Sequence, residues 1–345
     1  MLFTSTLIFI SALLGYLYNQ PDLVKYSLYS KSFHNIGVVV VLFALAGYLG
    51  FITFFANTET LVSRIANDVN KYIFNTYNLV SVLLVIVAFP LIVSSMTILK
   101  TLLPFIVPYY LDTFFMELDK VLHFDIAPWK LLQPLIGYTY ITFSINVVYN
   151  FWFFMQLFVV IWQVSSLNRP RLRMQFLISY VLAWMVLGSL LAILFASAGP
   201  CYYSGITNLP DPYIPLFQYL HSVNDLLAEN GLSLWALDTQ NYLWEHFEES
   251  TIGLGSGISA MPSLHVSVAV LLALVGWRTN RILGLFLSLH AFLILIGSVH
   301  LGWHYAVDGY ASIIGTFAIW KFSGYLVRNI PEKRLIIAPE DVATR

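Results

Sequence analysis

The chain has 345 residues, of which 59% are hydrophobic and 16% aromatic but only 10% charged, and its mean hydropathy is +0.76. A soluble domain carries about 25% charged residues and needs polar cover on its surface, so this composition excludes a soluble enzyme and a disordered regulator. The net charge of −1 leaves no basic field for nucleic acid, and the single cysteine, Cys201, excludes an internal disulfide or a cysteine-rich metal module.

Crossing a bilayer takes about 20 apolar helical residues. Taken in chain order, the apolar stretches 2–18, 36–55, 78–98, 137–163, 176–197, 262–277, 282–299 and 305–326 predict an all-α, polytopic membrane bundle of about eight transmembrane helices. No Lys or Arg precedes the first stretch, so it is expected to stay as an anchored helix rather than be cleaved as a signal. The runs are continuously apolar, unlike the alternating strands of a membrane barrel. Lys and Arg collect on the cytoplasmic side. With the N-terminus inside, Arg64, Lys71, Arg169, Arg171, Arg173, Arg278, Arg281, Lys321, Arg328, Lys333, Arg334 and Arg345 fall inside. Outside fall Lys25, Lys31, Lys100, Lys120 and Lys130. Both termini are expected to be cytoplasmic, in a plasma (inner) membrane.

Two outer segments are long. Residues 99–136 mix aromatic and polar residues and predict interfacial helices. Residues 198–261 carry acids but no Lys or Arg, and two stretches, IPLFQYLHSVNDLLAEN and LWALDTQNYLWEHFEES, have helical apolar spacing. They suggest a lid on the outer face.

Two polar clusters stand out. In SAMPSLHVSVAV, Pro262 suits a first helical turn, which would place Ser263, Leu264 and His265 there, beside amides and a dipole end that favour an anion. In GSVHLGWHYAVDGY stand His300, His304 and Asp308. If the last span is already helical at His304, it shares a face with Asp308, and the carboxylate would orient one imidazole nitrogen and raise the basicity of the other. The eight-span arrangement brings both clusters to the outer surface. Two histidines, one oriented by an acid, beside an anion-binding helix end suit phosphoryl transfer: one attacks phosphorus, the other protonates the leaving oxygen. His290, in mid-span, reads as hydrogen-bonded packing, although intramembrane ionisable groups are functional candidates.

MPSLH followed by HYAVD resembles the second and third signature motifs of the type-2 phosphatidic acid phosphatase superfamily. The flanks SAGPCYY and LGWHYAVDGYASIIG resemble its inositol-phosphotransferase-like branch, which includes inositol phosphorylceramide synthase. Sphingomyelin synthases share the His…His-x-x-x-Asp logic. The resemblance covers roughly residues 110–326. It implies that His304 forms a phosphohistidine, that Asp308 orients and activates it, that His265 is the general acid, and that no metal or other cofactor is used. The superfamily's phosphatases usually carry Lys-x6-Arg-Pro as a first motif and an Arg in the third. The nearest outer analogue found for the first is Lys120 followed by Ala127 and Pro128, without the Arg, and none stands near His304. The expected phosphate-capture set is therefore Lys120, Lys130, His300, Ser263 and the helix end. A phosphodiester carries one charge and needs fewer cations than a dianionic monoester, which favours headgroup transfer from a membrane lipid to an alcohol or lipid acceptor.

Three alternatives stand beside this reading: a lipid phosphate phosphatase hydrolysing phosphatidic acid or a prenyl phosphate; zinc held by His300, His304 and Asp308; and a transporter, whose site would lie nearer the midplane. A fourth and blander reading is that the histidines only cap helix ends. By domain, residues 1–100 are expected to be accessory helices, 101–330 the catalytic core and 331–345 a cytoplasmic tail.

Overall fold

The computed structural model describes residues 2–30, 76–165 and 169–331. The expected span at 36–55, the tail beyond 331, and Lys31, Arg64, Lys71, Lys333, Arg334 and Arg345 lie outside the described residues. The described chain is helical, with no strand among these residues. The helices are α1 (Leu2–Leu17), α2 (Thr76–Ile106), α3 (Asp112–Leu122), α4 (Pro128–Ile136), α5 (Thr139–Ser165), α6 (Pro170–Leu194), α7 (Ile214–Ala228), α8 (Trp235–Glu248), α9 (Leu264–Thr279), α10 (Arg281–His300) and α11 (Ala306–Arg328).

Among the described residues, four helices are long and apolar enough to cross a membrane: α2 from Val87, α5 to Val164, α6 and α10. Two shorter apolar helices are Thr4–Leu17 of α1 and Leu264–Thr279 of α9. Helix α11 has the length, with 23 residues, but Asp308 and Lys321 lie within it. The chain is therefore an all-helical membrane protein. Helix α2 runs on to Ile106, past the expected end at 98, so Lys100 sits within a helix rather than in an outer loop.

Helix α9 is the hub. Apolar or small residues surround it on nearly every side, and it packs on α5, α6, α10 and α11, as a helix apolar all round should. Bilayer helices gain little from hydrophobic burial against one another, so small residues and buried hydroxyls set their approach. Ser267 of α9 and Thr316 of α11 bond at 2.7 Å. Where α9 turns into α10, a Cβ on Gly276 would lie 3.1 Å from the Cα of Gly284.

The two ends of the bundle differ. At one, Arg169 bonds the carbonyls of Arg278 and Thr279, joining two arginine-bearing loops. At the other lie the starts of α5, α9 and α11, the ends of α2, α6 and α10, and the four amphipathic helices α3, α4, α7 and α8. Asn146 of α5 accepts the Ala236 amide at 3.0 Å and so ties α8 to the bundle.

Candidate active site

His265 and His304 face each other at that second end, with ring centroids 6.1 Å apart. Ser263 caps α9 by accepting the Val266 amide at 3.4 Å. The helix thus begins at Leu264, and Pro262 precedes it instead of filling its first turn. A serine oxygen can hold an N-terminal amide, which proline cannot do as a cap. His265 is still in the first turn, beside amides that have no helical partner by position. Trp152 donates to the His265 carbonyl at 2.9 Å. The rings of Trp152 and Tyr149 lie 4.4 and 5.1 Å from its imidazole, and Trp303 stacks on Tyr149. The result is an aromatic wall in which Tyr149 Oη and Trp303 Nε1 are buried with no hydrogen-bond partner among the described residues.

His304 stands in the turn between α10 and α11, 6% exposed. Its Nδ1 lies 3.3 Å from Asp308 Oδ2. The same oxygen accepts the Tyr305 amide at 3.0 Å, closing a capping box at the start of α11. Helix α11 starts at Ala306, so His304 and Asp308 meet through the cap and not across a helical face. Burial, followed by the charge of Lys100, pushes His304 down to about 3. A hydrogen bond to the Ala260 backbone acts in the opposite direction, and the 3.3 Å contact with Asp308 orients the ring.

Two buried acids on α3, seven positions apart on one face, brace this turn. Asp112 accepts the amides of Ala198 and Gly199 at 2.8–3.0 Å and the Tyr305 hydroxyl at 2.9 Å. Asp119 accepts the amides of Ala306 and Val307 at 2.8 and 2.9 Å. Burial raises both carboxyls, Asp119 to about 6, against the pull of the amides they hold. Both acids fall in the segment read from sequence only as interfacial helix. Their partners lie far along the chain, so no local pattern reveals them.

Lys100 was also missed. Its charge acts on both His265 and His304, and it lines a cavity of about 220 Å³ with Thr101, Tyr109, His246, Thr251 and Ile258. A Cβ on Gly257 would come within 2.5 Å of Lys100 Cβ, so the loop before α9 lies directly on it. The signal was present: Lys100, six residues, then Val107 and Pro108 reproduces the Lys-x6-Arg-Pro spacing, with Val in place of Arg.

Of the other expected capture residues, Ser263 stays beside the site, its amide donating to the Asp308 carbonyl at 3.3 Å, while the rest have partners of their own. Lys120 pairs with Glu117 at 3.0 Å on the surface. Lys130 sits over the Trp129 ring at 5.4 Å. His300 is fully buried, bonded to Thr142 at 2.9 Å and set against Tyr219. Ser263 is buried and engaged as the α9 cap. His290 is buried within α10. Among the described residues, no three His, Cys, Asp or Glu side chains converge as metal ligands. His300 and His304 diverge, because the turn at Leu301 and Gly302 ends α10 between them.

Comparison with known proteins agrees with this geometry. Neither the curated proteins nor the solved structures gave a match. The profile of the PAP2 superfamily matches residues 113–322, which run from α3 into α11 and contain His265, His304, Asp308 and Asp119; Asp112 stands one residue before the match. With its two histidines and acid held at one end of a helical membrane bundle, the chain belongs to the PAP2 superfamily.

Proposed function

We propose that this protein is a metal-independent lipid phosphotransferase that passes a phosphodiester headgroup to an alcohol through a phosphohistidine on His304. The observation that carries the reading is the position of a buried His304 between Asp308 at 3.3 Å and the His265 ring at 6.1 Å. Because Nδ1 faces Asp308, Nε2 is the attacking nitrogen. The N–P bond forms as the P–O bond to the leaving alcohol breaks, and His265 gives that oxygen its proton. The bound phosphate anion favours the imidazolium form that this step requires. In the second half, the acceptor hydroxyl attacks phosphorus, its proton passes to His265, and the N–P bond breaks.

The charge balance favours a diester. Lys100 is the cation whose charge acts on the two rings, whereas Arg169, Arg278 and Arg281 lie at the opposite end of their helices. The remaining donors are neutral: the first amides of α9, Tyr149 Oη and Trp303 Nε1. Among the described residues, one cation with several neutral donors matches one negative charge better than two. Substrate capture is accordingly assigned to Lys100, and the resemblance to the inositol-phosphotransferase-like branch points the same way. We place the site on the extracytoplasmic face of a plasma membrane, with about eight spans and both termini inside, from the distribution of Lys and Arg.

The test uses full-length protein in lipid with phosphate-labelled phosphatidic acid, prenyl phosphate, phosphatidylglycerol and phosphatidylinositol, each with and without alcohol acceptors. Acid-labile label on His304, passing to an acceptor as a new diester, supports headgroup transfer. Release as free phosphate assigns a lipid phosphatase instead. Turnover without label, or label that survives His304→Ala, overturns the mechanism.

A further inference from the structure

A second concavity opens on the surface of the described helices where α9, α10 and α11 meet, with a volume of about 270 Å³. Helix α9 supplies a stripe from Val266 through Val270 and Ala273 to Trp277, at helical spacing. The floor is small and buried: Ala273 is 7% and Ala291 8% exposed. The walls are large and open: Phe292 is 56% and Phe317 44% exposed. The lower end is closed by Trp277, which donates to Ser288 at 2.9 Å. These two lining groups satisfy each other, so the groove asks no hydrogen bond of an occupant. The upper end abuts the site. Val266 follows His265 in sequence, and both Val266 and Leu295 pack on Gly309, the residue after Asp308. From Val266 to Trp277 the helix rises about 16 Å, roughly one leaflet of a hydrocarbon core about 30 Å thick.

We propose that this groove holds one hydrocarbon chain of the lipid whose phosphate reacts at His304. The inference rests on the lipid substrate proposed above and adds where the chain lies. A headgroup and its chain are covalently joined, so a chain site must begin beside the reacting phosphate and run into the bilayer. The groove's lining starts at Val266, the residue after His265, and follows α9 to Trp277, and its small floor with aromatic walls fits a narrow, flexible, apolar occupant.

The test compares palmitoyl and hexanoyl forms of whichever donor labels His304, using the full-length protein and the variants Ala273→Phe and Ala273→Leu. Filling the floor should lower kcat/KM for the palmitoyl form tenfold or more, about the effect of two lost buried methylenes, and leave the hexanoyl form within twofold. Retained hexanoyl turnover also shows that the variants fold. An equal fall for both forms, or no fall for either, overturns the proposal. A second arm uses wild-type protein and a palmitoyl lipid with a photoreactive group at the chain end, so it is independent of turnover. Crosslinks to the Trp277 or Phe317 region that excess unlabelled donor displaces support the groove. Crosslinks that excess donor does not displace (an ordinary bilayer lipid), or that join two protein chains across this face, overturn it. Absence of label on His304 with any donor defeats the proposed chemistry but leaves this second arm readable.

Discussion

Asp119 on α3 holds the amide of Ala306, the first residue of α11, at 2.8 Å. With its other oxygen on Val307, it fixes the turn that carries His304 and Asp308. Asp119→Ala leaves two buried amides without partners, at about 1–3 kcal/mol each, and lets that turn drift. A displacement of 1 Å at a reacting group can cost about 100-fold. We expect kcat to fall by about that factor, with KM changed less than twofold, and Asp119→Asn to recover part of it through its remaining carbonyl oxygen. Initial-rate kinetics on the three proteins decide this: a rise in KM alone would make Asp119 a substrate contact, not a brace.

The same residue predicts a pH dependence of stability. Burial raises Asp119 from its usual value near 3.8 to about 6. A raised folded-state value means that the folded protein holds the proton more firmly. The contribution is therefore full below about pH 4 and is lost as the pH rises through about 6. Thermal unfolding in detergent should show Tm falling across that window, and Asp119→Asn should flatten the fall. An unchanged slope in the variant would assign the effect to other groups.

The site residues divide by role. His304→Ala should remove turnover and all bound label. Asp308→Asn keeps the shape but loses the acceptor that orients the ring, and by analogy with other acid–histidine pairs should lower kcat about 10³- to 10⁴-fold. His265→Gln should slow donors with poor leaving groups far more than activated aryl esters, whose leaving oxygen needs no proton. Equal slowing of both classes would remove His265 from the proton transfer.

Lys100 and Lys120 make opposite predictions. Losing a charged hydrogen bond to substrate costs about 1.5–3 kcal/mol, so Lys100→Met should raise KM roughly 10- to 100-fold. Lys120, engaged by Glu117 at the surface, should tolerate Ala with KM within twofold. The reverse pattern would return phosphate capture to Lys120.

Gly199 has φ of +101°, and a Cβ there would lie 2.6 Å from the Trp303 carbonyl. Its amide is also one of those bound by Asp112. Gly199→Ala should cost about 1–3 kcal/mol in strain and lower both Tm and kcat by pushing on the residue before His304. An unchanged Tm would mean that this turn can relax.

What could be read in the sequence follows the range of each interaction. Bilayer helices are specified locally by apolar runs, and seven of the eight expected stretches coincide with helices among the described residues, apart from extensions such as α2 beyond 98 and α6 before 176; four of these are long and apolar enough to cross a membrane. His265, His304 and Asp308 lie in short motifs whose order is visible along the chain. Asp112 and Asp119 act on residues 86 to 193 positions away, and nothing in DTFFMELDKVL announces those partners. Lys100 was obscured differently. It lies inside an apolar run, and its motif lacks the arginine that usually marks the spacing.

That position has a practical consequence for dissecting the protein. The superfamily match begins at residue 113, whereas Lys100 belongs to α2 and is overlaid by the loop at Gly257. A fragment cut at the start of the matched region would retain both histidines and their acid yet lack the ammonium beside them. If Lys100 captures the phosphate as proposed, the smallest unit able to hold an anion at this site starts upstream of it, and α2 then belongs with the site rather than with the accessory helices.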